Sequence, residues 1–264
     1  MTMIGADPVP RLQVRSHFGE MHMGGYFLAT VRAAALLSGI LATLALSAAA
    51  NADYSFTSST GNSIVPGTTD TGNHGDDTVT TVALPFAVEF YGTPYNSVNL
   101  SSNGNLQFTT TNTTFTNAAL PASAFGPTMF AYWDDLYLVN AGFGIFTSTT
   151  GAVGSRSFNI EWRSQYFPGA GSANFEIQLY ENQTYFDFIY GTLTNGSSSA
   201  TVGVQNTFGS GDFTEYSFNT PGNLSSGQGL RWDVSAAAVP EPATLALLGL
   251  GLAGLGFSRR RTLK

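Results

Sequence analysis

From Thr78 to Val234 the chain is written in short runs that alternate apolar and polar residues, and no long window keeps a helical period. A two-residue period places one set of side chains on one face of a strand and the other set on the opposite face. Phe86, Val88 and Phe90 alternate with Ala87 and Glu89, and Val98 and Leu100 with Ser97 and Asn99. Phe158, Ile160 and Trp162 alternate with Asn159 and Glu161, and Phe175, Ile177 and Leu179 with Glu176 and Gln178. Glu161 and Glu176 therefore read as members of a solvated face. Turn residues separate the runs. Asn103-Gly104 between Leu100 and Leu106 is the strongest short hairpin signal. Glu181-Asn182-Gln183 turns the chain between Leu179 and a returning strand at Tyr185 to Tyr190. Asp53 to Asp77 reads as a loose strand and a long loop, and Thr109 to Asn117 as a Thr-rich loop. The pattern predicts an all-β antiparallel sandwich, jelly-roll-like, with about ten or more strands in two sheets.

Two apolar segments flank this domain, and both are too short to be permanent membrane spans. Ala33 to Leu46 follows Arg32 and leads to Ala50-Asn51-Ala52, an A-x-A site with cleavage expected before Asp53. Residues 1–52 thus read as a signal peptide for the Sec machinery, with Met21 or Met23 as alternative starts. The other end reads Val239-Pro240-Glu241-Pro242, then an apolar helix from Ala243 to Phe257, then Arg259-Arg260-Arg261. Fifteen helical residues rise about 22 Å, less than a bilayer core. The arginines stay on the cytoplasmic side by the positive-inside rule. Residues 53–238 are left as a single extracellular β domain and 239–264 as a sorting signal.

That C-terminal order of elements resembles the PEP-CTERM sorting signal. The resemblance implies recognition by an exosortase, a membrane-embedded cysteine protease or transpeptidase. It also implies an envelope of the Gram-negative type, an inner-membrane intermediate and a link to exopolysaccharide or biofilm matrix. The same tail also carries the label of an ice-binding protein C-terminal domain, which describes the tail alone.

Charge narrows the partners. Arg156, Arg163 and Arg231 face fourteen Asp and Glu between Asp53 and Asp233, a net of −11 for the domain. It offers no electrostatic footprint for a phosphate backbone, so nucleic acid is not an expected partner. Cations and neutral sugars fit better. With no cysteine, thiol catalysis, disulfides and thiolate metal sites are excluded.

Within the domain, Asp134 and Asp135 are the candidate ligands for a hard cation such as calcium, which takes six to eight oxygens. Neighbours on a strand point oppositely, so both ligate only if the chain leaves the strand there. The alternative is one capping a turn and one in solvent. Asp70, Asn73, Asp76 and Asp77 form an oxygen-rich loop that lacks EF-hand spacing and reads as solvated. His74, the one histidine after the signal peptide, sits between flexible glycines, a poor place for a catalytic base. No Gly-x-Ser-x-Gly elbow and no phosphate loop is present. Tyr91, Tyr95, Tyr132, Tyr137, Tyr166, Phe167 and Tyr180 read as strand-edge or outer-face aromatics, the chemistry of a sugar platform, or as members of a second buried face.

Asn103-Gly104, Ala131-Tyr132-Trp133-Asp134-Asp135, Asn159-Ile160-Glu161-Trp162, Phe175 to Gly191 and Ala200 to Asn206 follow one another in an order that resembles the nidogen-type (NIDO) extracellular domain. The resemblance implies an adhesive or matrix role and supplies no catalytic residue. The expectation is an exported, non-catalytic surface protein that binds or scaffolds exopolysaccharide or surface partners. A calcium-stabilised carbohydrate-active enzyme is the alternative.

Overall fold

The computed structural model describes residues 53–209 and 212–235. The expected signal helix, the cleavage site at Ala50 and Ala52, the motif from Val239 to Pro242, the short apolar helix and Arg259 to Arg261 lie outside the described residues.

Fourteen strands follow in order: β1 (Tyr54–Ser59), β2 (Thr69–Asp70), β3 (Val79–Phe90), β4 (Thr93–Ser101), β5 (Asn105–Gln107), β6 (Thr128–Trp133), β7 (Leu136–Tyr137), β8 (Gly144–Thr150), β9 (Ser157–Tyr166), β10 (Ala170–Tyr180), β11 (Phe186–Leu193), β12 (Thr201–Gln205), β13 (Phe213–Phe218) and β14 (Gly229–Val234). Every pairing among them is antiparallel. The larger sheet runs β1-β14-β11-β10-β9-β8-β2, with β7 also on β9; the smaller runs β13-β12-β6-β5-β4-β3. No helix occurs among the described residues.

The turns follow from residue choice. Tyr91-Gly92 joins β3 to β4 with positive φ at both positions (48° and 76°), as a two-residue hairpin demands. The Asn103-Gly104 turn joins β4 to β5, and the Glu181 to Gln183 segment joins β10 to β11. β14 lies between β1 and β11, paired over six residues with the first and four with the second. Ser235 N–H donates to the Asp53 carbonyl at 2.7 Å, so the two ends of the domain lie side by side.

The alternation gives the core its faces. Phe56, Trp232, Phe186, Leu179 and Phe158 stand opposite one another across β1, β14, β11, β10 and β9. Trp162 and Phe175 stack at 5.2 Å, with Tyr132 of the small sheet 5.4 Å from Phe175. Polar ends of these rings tie the sheets together. The indole N–H of Trp162 donates to the Ser101 carbonyl, and the hydroxyl of Tyr190 to that of Ala131, both at 2.9 Å. Burying each such side chain contributes roughly 1.5–3 kcal/mol.

Each outer face is covered in part, which corrects the solvated reading where the cover lies. A strap, residues 60–68, crosses the large sheet from β14 to β8. Its Asn62 N–H donates to the Gly227 carbonyl, and Thr68 N–H to the Thr147 carbonyl, each at 2.9 Å. Between these ends, Val65 N–H reaches Glu176 Oε2 (2.8 Å) and Gly67 N–H reaches Glu161 Oε2 (2.9 Å). Glu161 and Glu176, expected in water, are buried as direct cross-strand partners. They satisfy backbone donors that the strap could not otherwise pair away from water.

The small sheet is covered by residues 108–127. Leu120, Ala122 and Phe125 pack on Phe130 and Trp133 as a second, smaller core. Gln205 donates to the carbonyls of Ala122 and Phe125, Gln107 to that of Asn112, and Asn103 to that of Thr113. The Thr-rich segment is thus part of a packed layer and not a free loop.

Candidate functional site

The acidic residues separate into two groups. β6 ends at Trp133, and the next two side chains diverge. Asp134 is buried and accepts from Ser199 Oγ (2.6 Å) and from the Asp135 backbone N–H (2.9 Å). Burial pushes its carboxyl up to about 6, against the pull of those two donors. Asp135 turns instead toward Asp76 and Asp77, and one carboxylate oxygen from each of the three lies within 4.8 Å of the others.

Asn103 assembles this corner. Its Nδ2 donates to Asp77 Oδ1 (2.8 Å), and its Oδ1 accepts from Leu136 N–H (3.1 Å). Asp77 itself holds φ at 52°, and Asp76 bridges the backbone of Tyr137. Burial and then the neighbouring carboxylates raise both Asp76 and Asp135 above the ordinary carboxylate range. One oxygen from each makes three ligands, half or less of the six to eight that calcium takes. The sequence reading paired Asp134 with Asp135 and set Asp76 and Asp77 apart as a solvated loop. The structure brings Asp135 to the loop acids and leaves Asp134 out. The hairpin asparagine, the Asp76–Tyr137 bridge and the Leu138 N–H bond to the Gly75 carbonyl link the two segments, and nothing in their spacing announces it.

The aromatic set divides similarly. Tyr132 and Tyr166 are buried, with their hydroxyls 2.9 Å apart. Tyr91 packs against Tyr54 and Phe90, and Tyr95 against Phe108. These four do not form a platform. Tyr137 and Phe167 meet edge to face at 5.9 Å beside the acidic corner, and Phe167 remains 51% exposed. Tyr180 lies on the outer face of the large sheet, where its hydroxyl meets Gln178 and Asp187.

The carboxylate pair that a glycosidase would need faces the strap and not a cleft. Glu161 is held by Arg163 (2.7 Å) and Asn174 Nδ2 (2.9 Å). Glu176 has no cation, and burial pushes it up to about 7. His74 is held between the Asp70 carboxylate (2.9 Å) and the Phe143 carbonyl (2.6 Å), which raises its pKa.

Residues 53–238 match the family model described as NIDO related, and residues 238–261 match that of the PEP-CTERM protein-sorting motif. No curated protein and no solved structure matches the chain. The sorting motif marks an exported bacterial surface protein processed by an exosortase. With the greater part of its length under one family model, and an all-β structure beneath that match, the chain belongs to the NIDO-related family.

Proposed function

We propose that the chain is a non-catalytic surface protein whose β domain binds or scaffolds exopolysaccharide or surface partners after sorting by an exosortase. The observation that carries this reading is the joining of a NIDO-related domain to a PEP-CTERM motif in one chain. The side-chain chemistry supports it. Glu161, Glu176 and Asp134 are buried and engaged by strap, arginine or serine donors, which leaves them unsuited to act on a substrate. Export would use the Sec machinery, with passage through an inner-membrane intermediate held by the apolar segment from Ala243 to Phe257.

The test is co-sedimentation of the protein with its host's own exopolysaccharide, in calcium and again in EDTA. Sedimentation with the polymer supports the reading, and calcium dependence would direct attention to Asp76, Asp77 and Asp135. Failure in both conditions rejects the polysaccharide and leaves surface proteins as the partners to assay.

A further inference from the structure

The strap covers one row of the large sheet's outer face and leaves its neighbour less covered. Thr57, Arg231, Asp187, Gln178 and Asn159 are direct partners across β1, β14, β11, β10 and β9. All five are polar, although the rows on the sheet's other side are apolar. Where this row meets the strap, a cleft of about 220 Å³ opens. Asn62 of the strap forms one wall, Ile189 and Gly229 contribute apolar surface, and Thr57, Asp187 and Arg231 contribute polar groups. Gly229 leaves room for this wall, since a Cβ there would come within 2.7 Å of the Asn62 amide and push that side chain aside.

Asp187 and Arg231 are held before any ligand arrives. Arg231 Nε and Nη2 donate to Asp187 Oδ1 (2.9 Å) and Oδ2 (2.8 Å). The guanidinium lies 4.3 Å over the Tyr185 ring, and the Tyr180 hydroxyl sits 2.8 Å from Asp187 Oδ2. A guanidinium has five N–H groups, and this fork uses two, so donors remain for a ligand. The carboxylate keeps acceptor capacity as well.

Charge selects the ligand class. The pair is neutral in a domain that is otherwise acidic. An anionic sugar would find no unmatched cation and would meet the domain's negative field. A cationic ligand would find no unmatched anion in the cleft. A ligand rich in both donors and acceptors but uncharged matches the fork, and the apolar surface suits a C–H face. The volume holds about seven waters and falls below the roughly 300 Å³ of a drug-sized site, which suits a single sugar ring.

We propose that this cleft is the subsite for one unit of a neutral polysaccharide, recognised through the Asp187–Arg231 fork. The proposal rests on the polysaccharide reading above and gives it a place and a ligand class.

The test uses the full chain expressed in its host and purified from the envelope. Affinity electrophoresis is run in dextran, laminarin and galactomannan, with alginate as the anionic polymer, beside co-sedimentation with host exopolysaccharide. Retardation by at least one neutral polymer and none by alginate is expected. Thr57→Trp, at an exposed strand position that fills the cleft, should weaken that retardation at least tenfold with an unchanged Tm. Arg231→Ala should do the same, though it also strips Asp187 of its partner, so Thr57→Trp decides. Undiminished binding by Thr57→Trp overturns the subsite and leaves the broader reading intact. Preference for alginate overturns the neutral assignment. Binding of host polymer with no neutral polymer bound rejects the subsite alone, and binding of none rejects both.

Discussion

Glu176 sets a pH dependence that a single residue can reveal. Its carboxyl is pushed up from the unfolded 4.5 to about 7, first by burial. The folded state therefore prefers the proton, and ionisation costs stability. That cost is absent below the unfolded value, grows as pH rises through the window from 4.5 to 7, and is complete above it. Its ceiling is on the order of 3 kcal/mol. Glu176→Gln should flatten the rise of urea midpoint on acidification across this window. His74 acts in the same direction by another route. Both ring nitrogens face acceptors, Asp70 and the Phe143 carbonyl, an arrangement that only the imidazolium satisfies. With its pKa raised, its contribution is present in full below the unfolded value and lost as pH rises through the folded one. Amide protection factors in residues 68–78, with the intrinsic pH dependence of exchange divided out, should fall over that rise, and His74→Ala should remove the fall.

At the scale of elements, the hairpin from Ser102 to Asn105 joins two tasks. It reverses the chain between β4 and β5, and its asparagine holds the acidic corner together. Gly104 has φ of 75°, and a Cβ there would collide with the Tyr132 carbonyl. Gly104→Ala should cost more than about 2 kcal/mol in urea denaturation, strain and clash together. Gly61→Ala, with φ of 81° but open space around it, should cost about 1–2 kcal/mol, the backbone strain alone. The strands, and the β4–β5 and β10–β11 turns, were legible because alternation and turn residues are local. The burial of Glu161 and Glu176 was not. A polar residue at every second position reads the same whether water or a strap covers it, and residues 60–68 carry no periodic signal. The Asp76, Asp77 and Asp135 corner was hidden for the same reason, since its assembly depends on how two distant loops dock.

At the scale of the molecule, the sorting motif and the domain are separable by mutation. Replacing Pro240, Glu241 and Pro242 together with alanine should leave the domain's Tm unchanged. It should abolish release to the surface, with the chain retained in the membrane fraction of fractionated host cells. If surface display persists, the motif is not what directs sorting.

The position of β14 has a mechanical consequence. In sequence this strand is followed within a few residues by the sorting motif, and it also carries Arg231. It is laced on both sides, to β1 over six residues and to β11 over four. Tension applied through the tail therefore falls on two hydrogen-bonded ladders loaded together, and it reaches the fork after only a few residues of chain. A surface protein pulled by the matrix it holds would resist unravelling from this end, because the strand under strain is paired along both of its edges and does not lie at the rim of the sheet.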